Sequence, residues 1–367
     1  MSEPIRVLHV FAALDSGGVA NFVMNTYRAI DRSKVQYDFA LSSGAKGLMD
    51  EEAESLGGRL FYFDNSRGFL ENIKSILYKK GPFDVVHSHV FFYSGLVLWE
   101  ARRAGIPVRI AHAHNAYTGN SRSMGRRAYE SIMQWLIKIN ATHMLGCSKK
   151  ACQYLFGSNS LRDQRVMVLL DGIDLERFAF DQKIRNTIRE ACGVENKFVV
   201  GHVGHFNAAK NHKKILSVFS EVARNRNDSV LLLVGDGELE ETVQNLVREL
   251  LLTERVIFAG AHKDVETYYQ AMDVFLFPSK YEGFGMAMIE AQANGLSCVA
   301  SDVVPKETDA NGRTIYLPLI ESDKEWGKAV MDASKRSTAK PAVEKIYSIT
   351  ATAERLTGIY EQSLRKE

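Results

Sequence analysis

Short apolar runs, each the length of a buried strand, alternate with amphipathic helical stretches along almost the whole of this chain. Strands are expected at Ile5–Phe11 and His143–Gly146 and over residues 36–41, 60–63, 85–87, 108–112 and 166–170. Helical spacing of apolar residues falls between them, over 19–30, 69–80, 96–104 and 126–140. That alternation is the signature of βαβ units and parallel sheets. The turn residues Asp171-Gly172-Ile173-Asp174 break it, and it then restarts. Strands follow at Phe198–Val203, 230–234, 256–258, Val274–Phe277 and 297–300, with a helix over 210–225 and a last one over 351–367. A chain of 367 residues is too long for one ordinary domain. The sequence therefore predicts an α/β fold of two Rossmann-like β/α/β domains, 1–172 and 173–345, with a C-terminal helical segment 346–367.

Composition narrows the class. With 46% hydrophobic and 25% charged residues the chain has the make-up of an ordinary globular protein. No apolar stretch approaches the roughly 18 residues of a membrane span. The first apolar run contains Arg6 and His9 and lacks a small-residue cleavage site, so it reads as a strand and not a signal segment. Cys147, Cys152, Cys192 and Cys298 form no C-x-x-C pair, which points to reduced thiols and a cytoplasmic location. The net charge of +2 hides an asymmetry: through Gly172 there are 21 Lys and Arg against 15 Asp and Glu, and beyond it 25 against 29. A basic first half and an acidic second half imply different partners.

Two glutamates carry the strongest chemical signal. Glu282 and Glu290 stand eight positions apart around Glu282-Gly283-Phe284-Gly285-Met286, just after strand Val274–Phe277. A glycine-bearing loop at the carboxyl end of a strand, opening a helix, is where α/β sheets bind anionic ligands. Glu282 falls in the loop, at the depth of a ligand's reacting end. Glu290 falls two turns on, suited to a pair of hydroxyls, and together they describe a nucleotide-sugar site. Gly17-Gly18 follows the first strand and offers backbone N–H groups to a phosphate. Two His-x-His pairs, His87/His89 and His112/His114, end strands on one face each, a geometry open to a metal. No acidic or cysteine ligands accompany them in the sequence, so no metal is expected.

The glutamate spacing, with Gly-Phe-Gly after the first, resembles the retaining glycosyltransferases of family four, the exopolysaccharide and capsule type of group 1 transferases. Those enzymes have GT-B architecture, two Rossmann-like domains facing a cleft. The resemblance implies that Glu282, with Phe284, Gly285 and Met286, meets the transferred sugar and that Glu290 meets the ribose. Val203-Gly204-His205 ends the first strand of the second domain where the family carries Gly-Arg, with a lysine five residues on. Lys210 matches that lysine; His205 takes the arginine's place. A histidine is only partly charged at neutral pH, its ordinary pKa being about 6.5, so the expected diphosphate clamp is weaker than arginine's permanent fork.

By the same resemblance Gly235, in Gly235-Asp236-Gly237, backs the nucleotide pocket, and Lys263 lies in the loop beside the base. Gly17 and Gly18 match the family's N-terminal glycine loop, His114 faces the donor sugar, and His89 lies nearer the acceptor. Arg122, Arg126 and Arg127 precede a helix bearing Tyr129, Ile132, Met133, Trp135, Leu136 and Ile137. Clustered arginines beside such a helix suit an anionic lipid-linked acceptor at a bilayer surface; the other reading is a buried helix face with a solvated basic turn. The whole implies a metal-independent, retaining transferase, cytoplasmic or peripheral at the inner face of the membrane, without cofactor and without nucleic-acid partner. It would move a sugar from a nucleotide-diphosphate donor, UDP favoured, to a lipid-linked saccharide. A nucleotide-sugar epimerase of the same architecture and a non-catalytic nucleotide-sugar-binding partner are the rival readings.

Overall fold

The computed structural model describes residues 3–15, 17–64, 68–116, 123–333 and 343–365. The chain forms two compact units, Met1–Gly172 with Ser348–Glu367, and Ile173–Tyr347.

In the first unit β1 (Ile5–Phe11), α1 (Gly18–Ala29), β2 (Val35–Leu41), α2 (Asp50–Ser55), β3 (Arg59–Tyr62), α3 (Phe69–Lys79), β4 (Val85–Ser88) and α4 (Ser94–Arg103) follow in order. After them come β5 (Val108–Ala113), α5 (Met124–Asn140), β6 (His143–Gly146), α6 (Lys149–Phe156) and β7 (Val166–Val168). The strands make a seven-stranded sheet in the order β3-β2-β1-β4-β5-β6-β7, every pair parallel. A parallel sheet covered by helices on both faces needs apolar residues at nearly every strand position. β1, β2, β4 and β5 supply them: Val7, Leu8, Val10, Phe39, Leu41, Val85, Val86 and Ile110 are buried.

The last helix, α13 (Ile349–Leu364), belongs to this core. Its Ala353, Leu356 and Tyr360 are buried with Val23, Tyr27 and Tyr37. Ser348 caps it by accepting the Ala351 N–H at 3.1 Å, and Thr352 Oγ1 donates to the Leu170 carbonyl at 3.1 Å. Full burial of a leucine such as Leu356 stabilises the unit by roughly 1.5–3 kcal/mol.

The second unit runs α7 (Gln182–Ala191), β8 (Phe198–Val203), α8 (His212–Asn225), β9 (Ser229–Val234), α9 (Glu240–Glu249), β10 (Val256–Gly260) and α10 (Val265–Ala271). It continues with β11 (Val274–Phe277), α11 (Met286–Ala293), β12 (Ser297–Ser301), β13 (Thr314–Leu317) and α12 (Asp323–Asp332). Its six strands, again all parallel, lie in the order β10-β9-β8-β11-β12-β13. The expected strands are present in both units, displaced at their ends by one or two residues. β13 was not expected: it is a four-residue edge strand whose side chains are only half-buried, so it lacks the continuous apolar run of the central strands. The helix expected over 210–225 starts later, at His212, because Asn211 takes a left-handed conformation, φ 60°.

Candidate active site

The sheet order of the second unit determines where a ligand can bind. β9 and β10 are laid on one side of β8, and β11, β12 and β13 on the other. Loops leaving the carboxyl ends of β8 and β11 therefore diverge, and that crevice is the binding place of open α/β sheets. In the β8 loop, Asn207 Oδ1 accepts the backbone N–H groups of Ala209 at 3.0 Å and Lys210 at 3.2 Å. Asn211 donates its side-chain amide to the Pro278 carbonyl at 3.1 Å, which ties the loop to the end of β11. Lys210 is thus presented from a fixed turn. Its Nζ reaches Glu282 Oε1 at 2.7 Å and stands 4.7 Å from the centre of the Phe277 ring. The structure brings together the lysine and the first glutamate, residues 72 positions apart in sequence.

Behind Glu282, Gly285 caps α11 in a left-handed conformation (φ 101°) that a side chain would strain. At the start of α11 the Met288 N–H already donates to the Gly285 carbonyl at 2.9 Å, and the N–H groups of Met286 and Ala287 before it have no partner within the helix. Glu290, half-buried on α11, takes a 2.7 Å hydrogen bond from the Tyr269 hydroxyl to its Oε2. Burial pushes the Glu290 carboxyl upward, against the opposing pull of that hydrogen bond and of the charges on Arg177 and Lys210. Arg177 also donates to the Lys263 carbonyl at 2.8 Å and to Glu266 at 2.7 Å. Tyr269 and Arg177 were not expected from the sequence. No spacing marks them, since Tyr269 comes from α10 and Arg177 from the turn that opens the unit.

The other expected residues of this unit fall as follows. Phe284 is buried, while Met286 is half-buried and Lys263 exposed. Gly235 is accounted for by packing: at φ 135° a Cβ there would strike the Gly204 carbonyl oxygen. The β9 loop is bound to the β8 loop by the Phe206 N–H, which donates to the Asp236 carbonyl at 2.6 Å. His205 is exposed, its Nδ1 3.0 Å from Asp236 Oδ1 and its Nε2 3.5 Å from Glu238 Oε2. Beneath Lys210, burial holds His202 well below its ordinary pKa and pushes His212 down to about 4. Both are neutral rings under a charged loop.

At the equivalent place in the first unit, where β1 and β4 part, five histidines gather: His9, His87, His89, His112 and His114. His9 Nδ1 lies 3.0 Å from His89 Nε2, and His89 Nδ1 2.8 Å from His114 Nε2. His87 bridges His112, at 3.1 Å, and the Tyr360 hydroxyl, at 2.9 Å. Burial, with the mutual repulsion of the imidazoles, holds His9, His87, His89 and His112 far below the ordinary histidine pKa, and burial pushes His114 down to about 3. Two triads, His9/His87/His89 and His89/His112/His114, bring one ring nitrogen each within 4.8 Å of one another, the spacing a metal ion would need. His9 Nδ1, both nitrogens of His89, His114 Nε2, His87 Nε2 and His112 Nδ1 are joined in N···N pairs, while the buried His9 Nε2 and His112 Nε2 have no hydrogen-bond partner. His89 is buried between His9 and His114, whereas His114 is partly exposed.

Gly17 and Gly18 open α1, and a Cβ on either would meet no atom within 4 Å. Neither packing nor, at Gly17 with φ −75°, conformation calls for glycine there. Arg122 lies outside the described residues. Arg126 is committed to Glu130, at 2.8 Å, while Arg127 is exposed.

Known proteins resemble the chain in both units. Residues 184–332 match the family model of glycosyl transferases group 1, and residues 16–177 that of glycosyltransferase family 4. EpsF of Bacillus subtilis (strain 168), which carries a glycosyltransferase name, is 34% identical over 100% of this chain and 99% of its own length. The capsular polysaccharide biosynthesis glycosyltransferase CapH of Staphylococcus aureus is 26% identical over 97% of this chain and 98% of its own. The UDP-Gal:alpha-D-GlcNAc-diphosphoundecaprenol alpha-1,3-galactosyltransferase of Escherichia coli is 28% identical over 62% of this chain and 60% of its own. Among solved structures, Anabaena Alr3699/HepE in complex with UDP-glucose superposes with a TM-score of 0.75 at 18% identity, covering 99% of each chain, which is a likeness of fold. With 34% identity to EpsF along the whole chain and both family models matched, the chain belongs to the group 1, family 4 glycosyltransferases of GT-B fold.

Proposed function

We propose that this glycosyltransferase moves a sugar from a UDP-sugar to a lipid-linked saccharide, with retention of anomeric configuration, in the synthesis of an exopolysaccharide or capsule. The observation that carries the reading is the Lys210–Glu282 pair at the β8/β11 crevice, with Glu290 held by Tyr269 on the helix that opens there. In this scheme Glu290 takes the ribose hydroxyls. Lys210 turns from Glu282 to the diphosphate and neutralises the charge that develops on the departing nucleotide. Preorganised cations and helix N-termini aimed at developing charge supply the larger part of such catalysis, and the transfer needs no metal on the diphosphate. Glu282, released from Lys210, accepts hydroxyls of the transferred sugar. In the first unit the neutral His114, with His89 and His9 behind it as its supports, offers a ring nitrogen suited to a sugar hydroxyl. The E. coli relative's name supports the lipid-linked acceptor, and the HepE complex supports UDP.

The test is turnover of UDP- and GDP-sugars with and without undecaprenyl-diphosphate saccharides, following nucleotide release and the product's anomeric configuration by NMR. The reading expects acceptor-dependent UDP release and a retained anomer. Conversion of the donor to an epimer without acceptor would make the protein an epimerase. Tight UDP binding with no turnover on any acceptor would make it a binding partner.

A further inference from the structure

Helix α5 turns an apolar face outward. Met124, Ile132, Trp135 and Ile139 are 86, 54, 59 and 42% exposed. With the exposed Ala128 they recur at steps of three and four residues, which places them along one side of the helix. The opposite side does the packing: Glu130, Met133, Ile137 and Asn140 are buried. It lies so close to α4 that a Cβ on Gly95 would come within 2.9 Å of the Met133 carbonyl. The outward stripe is therefore not core left uncovered by a loose fit.

The exposed charges that α5 and α4 themselves carry are of one sign; Asp163, which lies near Lys138 from outside the two helices, is paired with Arg165. The single carboxylate of α5, Glu130, is buried and held by Arg126, and the single carboxylate of α4, Glu100, is buried beside Arg103 at 3.2 Å. The exposed charges around the stripe are Arg127 and Lys138 on α5, with Arg102 on α4, whose guanidinium donates to the Ile139 carbonyl at 3.1 Å. A face of Trp, Ile and Met edged by Arg and Lys is the composition of a helix lying in a lipid–water interface. A two-fold dimer through the same face would set its cations against their own copies, since such an interface is self-complementary. α5 also follows β5, so its first turn stands at the carboxyl edge where His114 lies.

We infer that this face of α5 docks the protein on an anionic bilayer surface, with Ile132, Trp135 and Ile139 entering the headgroup region and Arg127, Lys138 and Arg102 meeting lipid phosphates. The inference rests on the lipid-linked acceptor proposed above and assigns the surface that would bring the first unit to it.

The experiment is flotation with phosphatidylglycerol-containing vesicles and with neutral phosphatidylcholine vesicles, combined with tryptophan fluorescence. The chain has three tryptophans, of which Trp326 is buried and Trp99 half-covered by Arg103, so Trp135 is the reporter. Binding is expected on anionic vesicles, with a blue shift and quenching by brominated lipid, weakened by salt and absent from neutral vesicles. Ile132→Ser with Trp135→Ser should reduce vesicle binding at least tenfold, while UDP binding by calorimetry stays at the parent value. Three results overturn the inference: equal vesicle binding by the double variant, no quenching in the parent, or a parent dimer in sedimentation that the double variant loses. None of these bears on sugar transfer itself, which is read separately as UDP release.

Discussion

Two sheets that share the order of their first six strands end in different electrostatics. In each unit the strand order reverses beside the first strand, and in each the chain brings polar residues to that point from loops far apart in sequence. The second unit puts charges there: Lys210 on Glu282, with Glu290 and Arg177 close by. The first puts five imidazoles there, held neutral by burial and by one another. Topology thus determines where a site forms, and the residues at the strand ends determine its character. A charged crevice suits a nucleoside diphosphate, and a neutral one suits sugar hydroxyls, which ask for hydrogen-bond donors and acceptors without net charge.

The largest expected effect breaks the comparison with acid. A histidine whose folded pKa lies below its unfolded value binds more protons when unfolded, so its stabilisation is present above pH ~6.5 and is lost as pH falls toward the folded value. For His114, pushed down to about 3, the loss by pH 5 is about 2 kcal/mol, and the other four histidines act in the same direction. The second unit has His202 and His212 in this position, against five in the first. Hydrogen exchange read by mass spectrometry should therefore show β1, β4 and β5 losing protection on acidification before β8, β9 and β11. Simultaneous opening of the two units would show that the histidine cluster does not set acid stability.

Much of this was legible in the sequence, for a physical reason. Buried parallel strands need unbroken apolar runs, so β1, β8, β9 and β11 announce themselves. Glycine-bearing loops after strands mark phosphate-binding edges. What the sequence withheld lies in pairings across the chain. Tyr269 and Glu290 are 21 residues apart and meet only because α10 and α11 pack together. Likewise, the His-x-His pairs were visible, but His9 joins them only through the β1–β4 pairing. Gly235 drew attention as a ligand-binding glycine, and its φ and its contact with Gly204 give it a packing reason first.

Next in size is the loss of Lys210, the cation paired with Glu282 at the crevice. Lys210→Ala removes the charge aimed at the diphosphate and leaves Glu282 unpaired where it would repel phosphate. Donor-dependent nucleotide release should fall about 10²–10³-fold, the usual cost of removing one preorganised electrostatic group. Turnover within a few-fold of the parent would move the clamp to the α11 N-terminus and sharpen the contrast between the units differently.

A smaller effect separates the two glutamates. Glu290→Ala should weaken free UDP by about 1.5–3 kcal/mol, the worth of a charged hydrogen bond, whereas Glu282→Ala should leave UDP affinity nearly intact and lower turnover. Calorimetry with UDP on both variants decides, and an equal loss of affinity in the two would undo the assignment of ribose and sugar.

The smallest expected effect asks whether His205 adds to the cations of the charged crevice. His205 stands exposed between Asp236 and Glu238, so its ring nitrogens have carboxylate partners from the β9 loop. Exposed ion pairs contribute at most about 1 kcal/mol. His205→Ala should therefore cost donor kcat/KM no more than about fivefold, far less than Lys210→Ala. His205→Arg is the informative variant. A guanidinium can pair with one carboxylate and still direct a second N–H pair at a phosphate. If His205 assists the diphosphate, calorimetry with the donor should show affinity preserved or improved in His205→Arg and weakened in His205→Ala. If both variants bind donor as the parent does, His205 serves to join the β8 and β9 loops, and Lys210 with the helix N-termini carries the diphosphate alone.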